Sequence, residues 1–235
     1  MLYKSRHKNF TLHVKGSSTP YHRIFADFVN YRLSVVSVFR NQNKTKVMLI
    51  EHDKHLYVLK VFKPNGKKIE RLYKSWFKKD YSFNLIKRND ELWERGMRFQ
   101  NDVYLLARRK KIGCTDLYVM LFEYIPGKVL NEFDEIPEEI KQEIVCKMAL
   151  LHHHKLVSGD AHKGNFILSA EGLRIIDLSG KNFTRRRVAE DQLMLERYLN
   201  INNIEKDVSY HLVKTKSTLR KKIKNGKKRV VNILN

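Results

Sequence analysis

The sequence predicts an α+β protein with two lobes: an N-terminal antiparallel sheet with one helix, then a mainly helical lobe. Two observations support this. Short runs of β-branched and aromatic residues, separated by polar turns, fill much of the first half. Longer segments with helical spacing dominate the second half. We therefore expect a first lobe at residues 1–122 and a second lobe at residues 123–235.

Polar turns separate the strand-like segments of the first lobe. These segments are residues 10–14, 32–39, 47–50, 56–62 and 117–124. Turns at 41–45 and 51–54 would join three of them into an antiparallel meander, which Pro64-Asn65-Gly66 ends. The segment 91–111 is predicted to be helical, because Phe99, Val103 and Leu106 share one helical face.

The second lobe begins with a strong helix pattern. Pro137, Glu138 and Glu139 suit the first turn of a helix. Apolar residues then recur at helical spacing at positions 140, 144, 145, 148 and 151. A short loop at 158–165 and two apolar strands, at 166–168 and 173–177, follow this helix.

The charge of the chain points to an anionic partner. The 235 residues include 47 Lys and Arg against 25 Asp and Glu, a net charge of +22. Nucleic acid, an anionic membrane surface and a phosphorylated substrate all suit such an excess. The 42% hydrophobic content excludes a disordered polybasic chain, and two cysteines are too few for a disulfide framework. No secretory signal or bilayer-spanning stretch is evident, so we expect a cytoplasmic protein.

Four polar residues stand in an order that suggests a site for phosphate and a metal ion. Lys60 lies within an apolar strand, where its ammonium group needs an anion. Asp160 and Asn165 lie five residues apart on one loop, and Asp177 ends an apolar strand. Carboxylate and amide oxygens are ligands that Mg²⁺ accepts alongside phosphate. Asp177 and Asn165 would hold the metal, which leaves Asp160 to accept a proton from a hydroxyl nucleophile.

Each of these residues also has an ordinary structural interpretation. A strand lysine commonly lies at a sheet edge and points to solvent. Asp and Asn are common in turns and at helix N-caps. The joint order, in a helix–loop–strand context, favours the functional interpretation.

The set of Lys60, Asp160, Asn165 and Asp177 resembles the protein-kinase-like fold. Ser158-Gly-Asp160 resembles the small-molecule and sugar kinases of that superfamily. The run Asp-Ala-His-Lys-Gly-Asn-Phe-Ile at 160–167, the chain length and the basic insert resemble the bacterial lipopolysaccharide core heptose kinases. Within this family the resemblance is greatest to the heptose(II) kinases. It covers about residues 30–200 and is most specific at 150–180.

This resemblance implies a reaction, its cofactors and a place in the cell. ATP and Mg²⁺ would be the cofactors, and a heptose hydroxyl of the inner core would be the acceptor. The substrate would be a glycolipid at the cytoplasmic face of the bacterial inner membrane. Lys60 would hold the α- and β-phosphates, and Asp160 would align the hydroxyl.

Further roles follow from the same resemblance. Glu123 lies where the hinge would contact adenine through backbone groups. Lys163 would neutralise the γ-phosphate, with a solvent-facing lysine as the alternative. In such kinases an acid on a helix pairs with the strand lysine. Asp102 fits the position of the acid that would pair with Lys60, and Glu91 and Glu94 are the alternatives. The segment 39–47 lacks glycine, where kinases carry a glycine-rich loop.

The basic insert at 63–98 and the basic tail at 212–229 suit peripheral contact with an anionic membrane. Trp76, Phe77 and Trp93 would lie at the membrane interface or pack in the core of the first lobe. Beyond Asp207 there are nine Lys and Arg and no acid. In this segment four apolar residues share one helical face: Val208, Leu212, Leu219 and Ile223.

Three other functions compete with this interpretation. The other core heptose, or a protein hydroxyl, would be accepted by the same chemistry. A nucleic-acid-binding protein explains the charge but not the four polar residues, so we expect no nucleic-acid partner. A pseudokinase scaffold suits the missing glycines but not the intact set at 160–177. The sequence gives no indication of the oligomeric state.

Overall fold

The computed structural model describes residues 1–17, 19–64, 81–111 and 114–233, without the side chains of residues 221 and 224–233. Trp76 and Phe77, and most of the first half of the basic insert, lie outside the described residues. The chain forms two compact units. The first unit comprises residues 1–127 and 169–176, and the second comprises residues 128–168 and 177–235.

An antiparallel sheet of seven described strands forms the base of the first unit. The strands are β1 (Leu2–His7), β2 (Phe10–Lys15), β3 (Ser34–Gln42), β4 (Thr45–His52), β5 (His55–Phe62), β6 (Val103–Lys111) and β7 (Cys114–Glu123). Their order is β1-β2-β6-β7-β5-β4-β3. Strands β3 to β5 form the predicted meander, whereas β2 pairs with β1 and β6.

Two described helices accompany this sheet, α1 (Thr19–Val29) and α2 (Tyr81–Glu94). Ile24 and Phe25 of α1 are buried in one core cluster with residues of the central strands, including Leu59 of β5. The helix α1 therefore covers the face of the sheet to which Leu59 contributes. It is an addition to the single helix that the sequence predicted.

The prediction of a helix over 91–111 is wrong for most of its length. α2 ends at Glu94, and Val103–Lys111 is the strand β6, paired on both sides with β2 and β7. Val103, Leu105, Leu106 and Ala107 are all buried. A strand buried on both faces has a continuous apolar run, so its sequence lacks the period of two and can mimic a helix.

The second unit is mainly helical. Its described helices are α3 (Glu138–His153), α4 (Arg185–Leu199) and α5 (Val208–Ile233). A short strand β8 (Lys128–Val129) pairs with β9 (Phe166–Ser169), which follows the loop after α3. Ala189 and Leu193 of α4 pack with Tyr210 of α5 in a second buried cluster.

The helices and sheet confirm the predicted α+β fold class. The strand β10 (Gly172–Ile175) belongs to the first unit, where it bridges Gln100 in parallel orientation through Ile175. Within the described part of the chain, no helix has both the length and the apolar composition needed to cross a bilayer.

Candidate functional site

Lys60 lies on an interior strand of the first unit. β5 pairs with β4 on one side and β7 on the other, so that Lys60 is opposite Val47 and Met120. This position excludes the alternative of an edge-strand lysine. Because successive side chains of a strand alternate, Lys60 lies on the sheet face opposite Leu59 and helix α1. Phe62 stacks on Tyr118 of β7 at 4.8 Å on the face that carries Lys60.

Glu123, the predicted hinge residue, ends β7 and belongs to a polar cluster. Its carboxylate Oε2 accepts hydrogen bonds from Arg174 Nη2 at 2.7 Å and from the backbone N–H of Asp102 at 2.9 Å. Arg174 is buried and donates a further hydrogen bond to the carbonyl oxygen of Gln100. The backbone N–H of Glu123 donates to the carbonyl oxygen of Asp102. The cluster therefore ties the end of β7 to β10, three residues before Asp177.

Asp102 lies directly before β6 and not on a helix, because the segment that follows it is a strand. Its carboxylate is buried and pairs with Lys15 Nζ at 2.5 Å. Burial raises the pKa of Asp102, and the hydrogen bond from Lys15 opposes that rise. Glu91 and Glu94 were the alternatives to Asp102 as the partner of Lys60. In the structure, Glu91 lies near Lys87, and Glu94 lies near the amino group of Met1. The pairing of Asp102 with Lys60 stays a prediction.

In the second unit, Asp160 and Asn165 lie on one loop after α3, and a hydrogen bond between them closes this loop. Asn165 Nδ2 donates to the backbone carbonyl of Asp160 at 2.8 Å, and the N–H of His162 donates to the same oxygen. Asn165 is buried, whereas the side chain of Asp160 is 62% exposed. Lys163 begins the short 3-10 turn that ends at Asn165. The loop thus presents one carboxylate to solvent and fixes one amide beside it.

His162 caps this turn. Its Nδ1 accepts a hydrogen bond from the N–H of Gly164, so Nε2 carries the proton in the neutral ring. Nε2 lies 3.6 Å from Asp160 Oδ2, beyond hydrogen-bond distance. The imidazole therefore lies near the Asp160 carboxylate and leaves its oxygens accessible.

Asp177 lies in the segment that packs on this loop. It adopts a left-handed conformation with φ of 55°, which Asp tolerates better than most residues. Two residues later, Ser179 Oγ donates to the carbonyl oxygen of Val157. A Cβ atom at Gly159 would lie 2.7 Å from both Cβ and Oγ of Ser179. The turn that carries Asp177 thus lies against the backbone that leads into Asp160.

A buried carboxylate that the sequence did not point out holds the loop in place. Asp191 of α4 is fully buried and accepts hydrogen bonds from the N–H of Ser158 at 2.8 Å and of Gly159 at 2.7 Å. Its Oδ2 also lies 3.0 Å from Nε2 of His152, at the end of α3. Asp191 lies on the apolar side of an amphipathic helix, four residues before the buried Leu195. An acid at such a position is the sequence signal that could have identified it.

The donors of this loop fit a Mg²⁺ ion that shares its ligands with phosphate. The amide nitrogen of Asn165 is engaged by Asp160, which leaves Oδ1 as the atom with which it would ligate a cation. Asp177 would add a carboxylate. Among the described residues, no group of three or more His, Cys, Asp or Glu side chains could hold a metal. Mg²⁺ commonly takes only one or two protein ligands and completes its shell with phosphate and water, so two donors are sufficient.

Comparisons with known proteins show the fold and the family of this chain. A solved structure described as WaaP in complex with acyl carrier protein matches with a TM-score of 0.55 at 15% identity, over 93% of this chain and 98% of that chain. It supports the kinase-like fold alone. A lipopolysaccharide core heptose(II) kinase WaaY of Escherichia coli is 43% identical over 227 residues, covering 97% of this chain and 99% of the relative.

A second such kinase, from Escherichia coli strain K12, is 38% identical over 230 residues, covering 98% of this chain and 97% of the relative. The family model described as lipopolysaccharide core biosynthesis protein (WaaY) matches residues 1–229. The match extends over both compact units and includes all of the predicted site residues. The chain therefore belongs to the WaaY family of lipopolysaccharide core biosynthesis proteins.

Proposed function

We propose that this protein transfers the γ-phosphoryl group of ATP to a hydroxyl of the second heptose in the lipopolysaccharide inner core. Two heptose(II) kinases are similar to the chain over almost its whole length. The observation that carries the proposal is the loop in which Asn165 is bonded to Asp160 and the turn of Asp177 packs on the residues just before it. That loop supplies the acid and amide groups that phosphoryl transfer needs, already positioned.

The exposed carboxylate of Asp160 is the group that would meet the acceptor. The heptose oxygen attacks the γ-phosphorus, the bond from this phosphorus to the β–γ bridging oxygen breaks, and ADP leaves. The hydroxyl proton passes to Asp160, which is accessible because most of its side chain is exposed. His162 Nε2 lies 3.6 Å from this carboxylate, close enough for a protonated imidazole to stabilise its charge.

The other roles concern charge and position. Lys60 would hold the α- and β-phosphates, and Lys163 would lie near the γ-phosphate. Asp177 and Asn165 would hold Mg²⁺, which when bound neutralises charge on the phosphate oxygens. Glu123 would place adenine through the backbone at the end of β7. Phosphoryl transfer depends mainly on positioning and electrostatics, so the supports of these groups matter as much as the groups themselves.

The acceptor also determines where the enzyme works. A core heptose is carried by a glycolipid, so the enzyme would act as a peripheral protein at the cytoplasmic face of the inner membrane. The net charge of +22 supports contact with an anionic surface.

A transfer assay tests the proposed function. Purified protein is incubated with γ-labelled ATP, Mg²⁺ and lipopolysaccharide core that lacks phosphate on the second heptose. We expect label on the glycolipid, and Asp160→Asn to reduce the rate by about 100- to 10,000-fold. Asp134→Asn, which changes an exposed acid of the same unit, serves as the matched control and should leave the rate unchanged. A rate for Asp160→Asn within tenfold of the wild type would contradict the role of this residue.

A further inference from the structure

The helix α5 carries a row of exposed aliphatic side chains. Val208 is 76% exposed, Leu212 67%, Leu219 55% and Ile223 61%. At 3.6 residues per turn, these positions fall within about 60° of the helix circumference and span about 22 Å along its axis. We name these four residues the α5 stripe. Exposed apolar residues scattered singly are ordinary, but four that are aligned along one face of a helix indicate an interaction surface.

The opposite side of α5 already has a partner. Tyr210 is buried and packs with Val213 against Ala189 and Leu193 of α4. Lys214 Nζ lies 2.7 Å from Oε1 of Glu196, also on α4. By helical spacing these contacts lie roughly opposite the α5 stripe. The helix is thus anchored on one side, and the stripe points away from α4.

Basic residues border the α5 stripe on both sides. Lys216 and Arg220 project on one side and Lys222 on the other, and all three are exposed. No acidic residue occurs in the chain after Asp207. The surface therefore combines a narrow apolar strip with positive borders, the pattern of a helix that lies in the plane of a membrane interface.

We propose that the α5 stripe lies in the surface of an anionic lipid bilayer and holds the enzyme at the membrane that carries its acceptor. This inference deepens the proposed function and rests on it, because the proposed acceptor is carried by a glycolipid of the membrane. The apolar side chains would enter the boundary between headgroups and acyl chains, while the three cations contact lipid phosphates.

The structure favours a bilayer over the two other occupants. A second copy of this chain would bring the positive borders of two helices together, which costs free energy. A groove on an acidic protein normally surrounds much of a bound helix, but α5 is covered on one side by α4. A flat lipid surface needs only the exposed side.

Vesicle flotation tests this surface. The probes are vesicles of phosphatidylcholine alone and vesicles that also contain phosphatidylglycerol. We expect the wild type to float only with the anionic vesicles, and Leu212→Asp with Leu219→Asp to weaken binding at least tenfold. The control variant is Leu56→Asp with Leu150→Asp. These two leucines lie outside α5 and are 39% and 38% exposed, so binding should stay within twofold of the wild type.

A second pair of variants tests the cations. Lys216→Gln, Arg220→Gln and Lys222→Gln together should weaken binding to the anionic vesicles about 100-fold, from about 1 kcal/mol per cation. The matched control removes three exposed charges of the first unit, with Lys4→Gln, Arg6→Gln and Lys54→Gln. It should stay within about threefold of the wild type.

Two further measurements separate this proposal from the proposed function. All variants should phosphorylate water-soluble core oligosaccharide, freed of its lipid, at the wild-type rate. No transfer by the wild type would contradict the kinase function and not the surface. Equal flotation of the wild type and the Leu212→Asp, Leu219→Asp variant would overturn the proposal, because it would show that any membrane contact lies elsewhere on the protein. A wild-type dimer that this variant dissociates, seen by light scattering, would overturn it in favour of a second copy.

Discussion

Arg174 Nη2 donates a hydrogen bond to Glu123 Oε2 at 2.7 Å, and this contact joins the strand that precedes Asp177 to the end of β7. The side chain of Arg174 is 5% exposed and that of Glu123 is 20% exposed. The pair is therefore mostly removed from water, and loss of one partner leaves the other charge poorly solvated. A contact of this kind fixes the backbone at the predicted hinge.

Arg174→Met should destabilise the protein by about 3 kcal/mol, the low end for breaking a buried ion pair. Urea denaturation of the variant and the wild type measures this. In the double variant Arg174→Met, Glu123→Gln the loss should be smaller than the sum of the two single losses, because no buried charge remains unpaired. Additive losses would show that the two residues act independently.

Gly159→Ala should impair both stability and transfer. Gly159 has φ of +76°, and a Cβ there would lie 2.7 Å from the side chain of Ser179. The strain of a positive φ costs about 1–2 kcal/mol, and the clash adds about 1–3 kcal/mol. Because Ser179 is two residues from Asp177, the shift that relieves the clash should also lower kcat.

Gly96→Ala is the matched control for this variant. Gly96 has φ of +74°, but a Cβ there would meet no atom within 4 Å. Gly96→Ala should therefore reduce the free energy of unfolding only by the cost of the positive φ, and kcat should be unchanged. Thermal unfolding measures the stability of both variants, and a transfer assay measures their kcat. Equal losses in the two variants would show that the close approach to Ser179 does not cause the effect of Gly159→Ala.

Asp191→Asn should lower kcat about 100-fold, since the change misplaces the backbone that leads into Asp160. Both carboxylate oxygens of Asp191 accept backbone hydrogen bonds, so an amide nitrogen at either position faces an N–H donor. Each unpaired N–H costs about 1–3 kcal/mol of stability. Glu190→Gln, one residue earlier and partly exposed, should change stability by less than about 0.5 kcal/mol. Wild-type kcat in Asp191→Asn would show that the loop holds without this carboxylate.

Asp102 should give the stability a measurable pH dependence. Its pKa in the folded protein lies above the ordinary value of 3.8, chiefly because of burial. Between these two values the folded state binds more protons than the unfolded state, so the contribution of Asp102 to stability falls as pH rises. The free energy of unfolding of the wild type minus that of Asp102→Asn should therefore decrease upward from pH 3.8 and level off above the raised pKa.

Asp116 provides a control of opposite sign. The hydrogen bond from Arg109 lowers the pKa of Asp116 below 3.8. The corresponding difference for Asp116→Asn should increase with pH, and only below 3.8. Urea denaturation across the acidic range measures both. If the difference in free energy of unfolding between the wild type and Asp102→Asn does not vary with pH, burial does not raise the pKa of Asp102.

The sequence predicted the parts of the fold in which local pattern and structure agree. The meander β3–β5, the helix α3 and the loop from Asp160 to Asn165 were predicted from alternation, helical spacing and turn residues. The strand β1 and the helix α1 were not predicted. β1 is largely polar, and α1 is short and rich in aromatic residues of modest helix propensity, so each depends on packing with β2 and the sheet core.

The site could be predicted only in part for a related reason. Lys60, Asp160, Asn165 and Asp177 have a characteristic order along the chain, which a single sequence shows. The contacts of Asp191 and Arg174 join residues 32 and 51 positions apart. Such contacts depend on tertiary structure, and local sequence patterns do not reveal them.

The central claim, transfer to the second heptose by the loop of Asp160, is tested most directly by locating the phosphate in the product. Core oligosaccharide treated with ATP and the wild type, and in parallel with Asp160→Asn, is sequenced by tandem mass spectrometry. We predict one added phosphate on the second heptose with the wild type and none with the variant. Phosphate on the first heptose, or on the second heptose in equal amount with Asp160→Asn, would contradict the account.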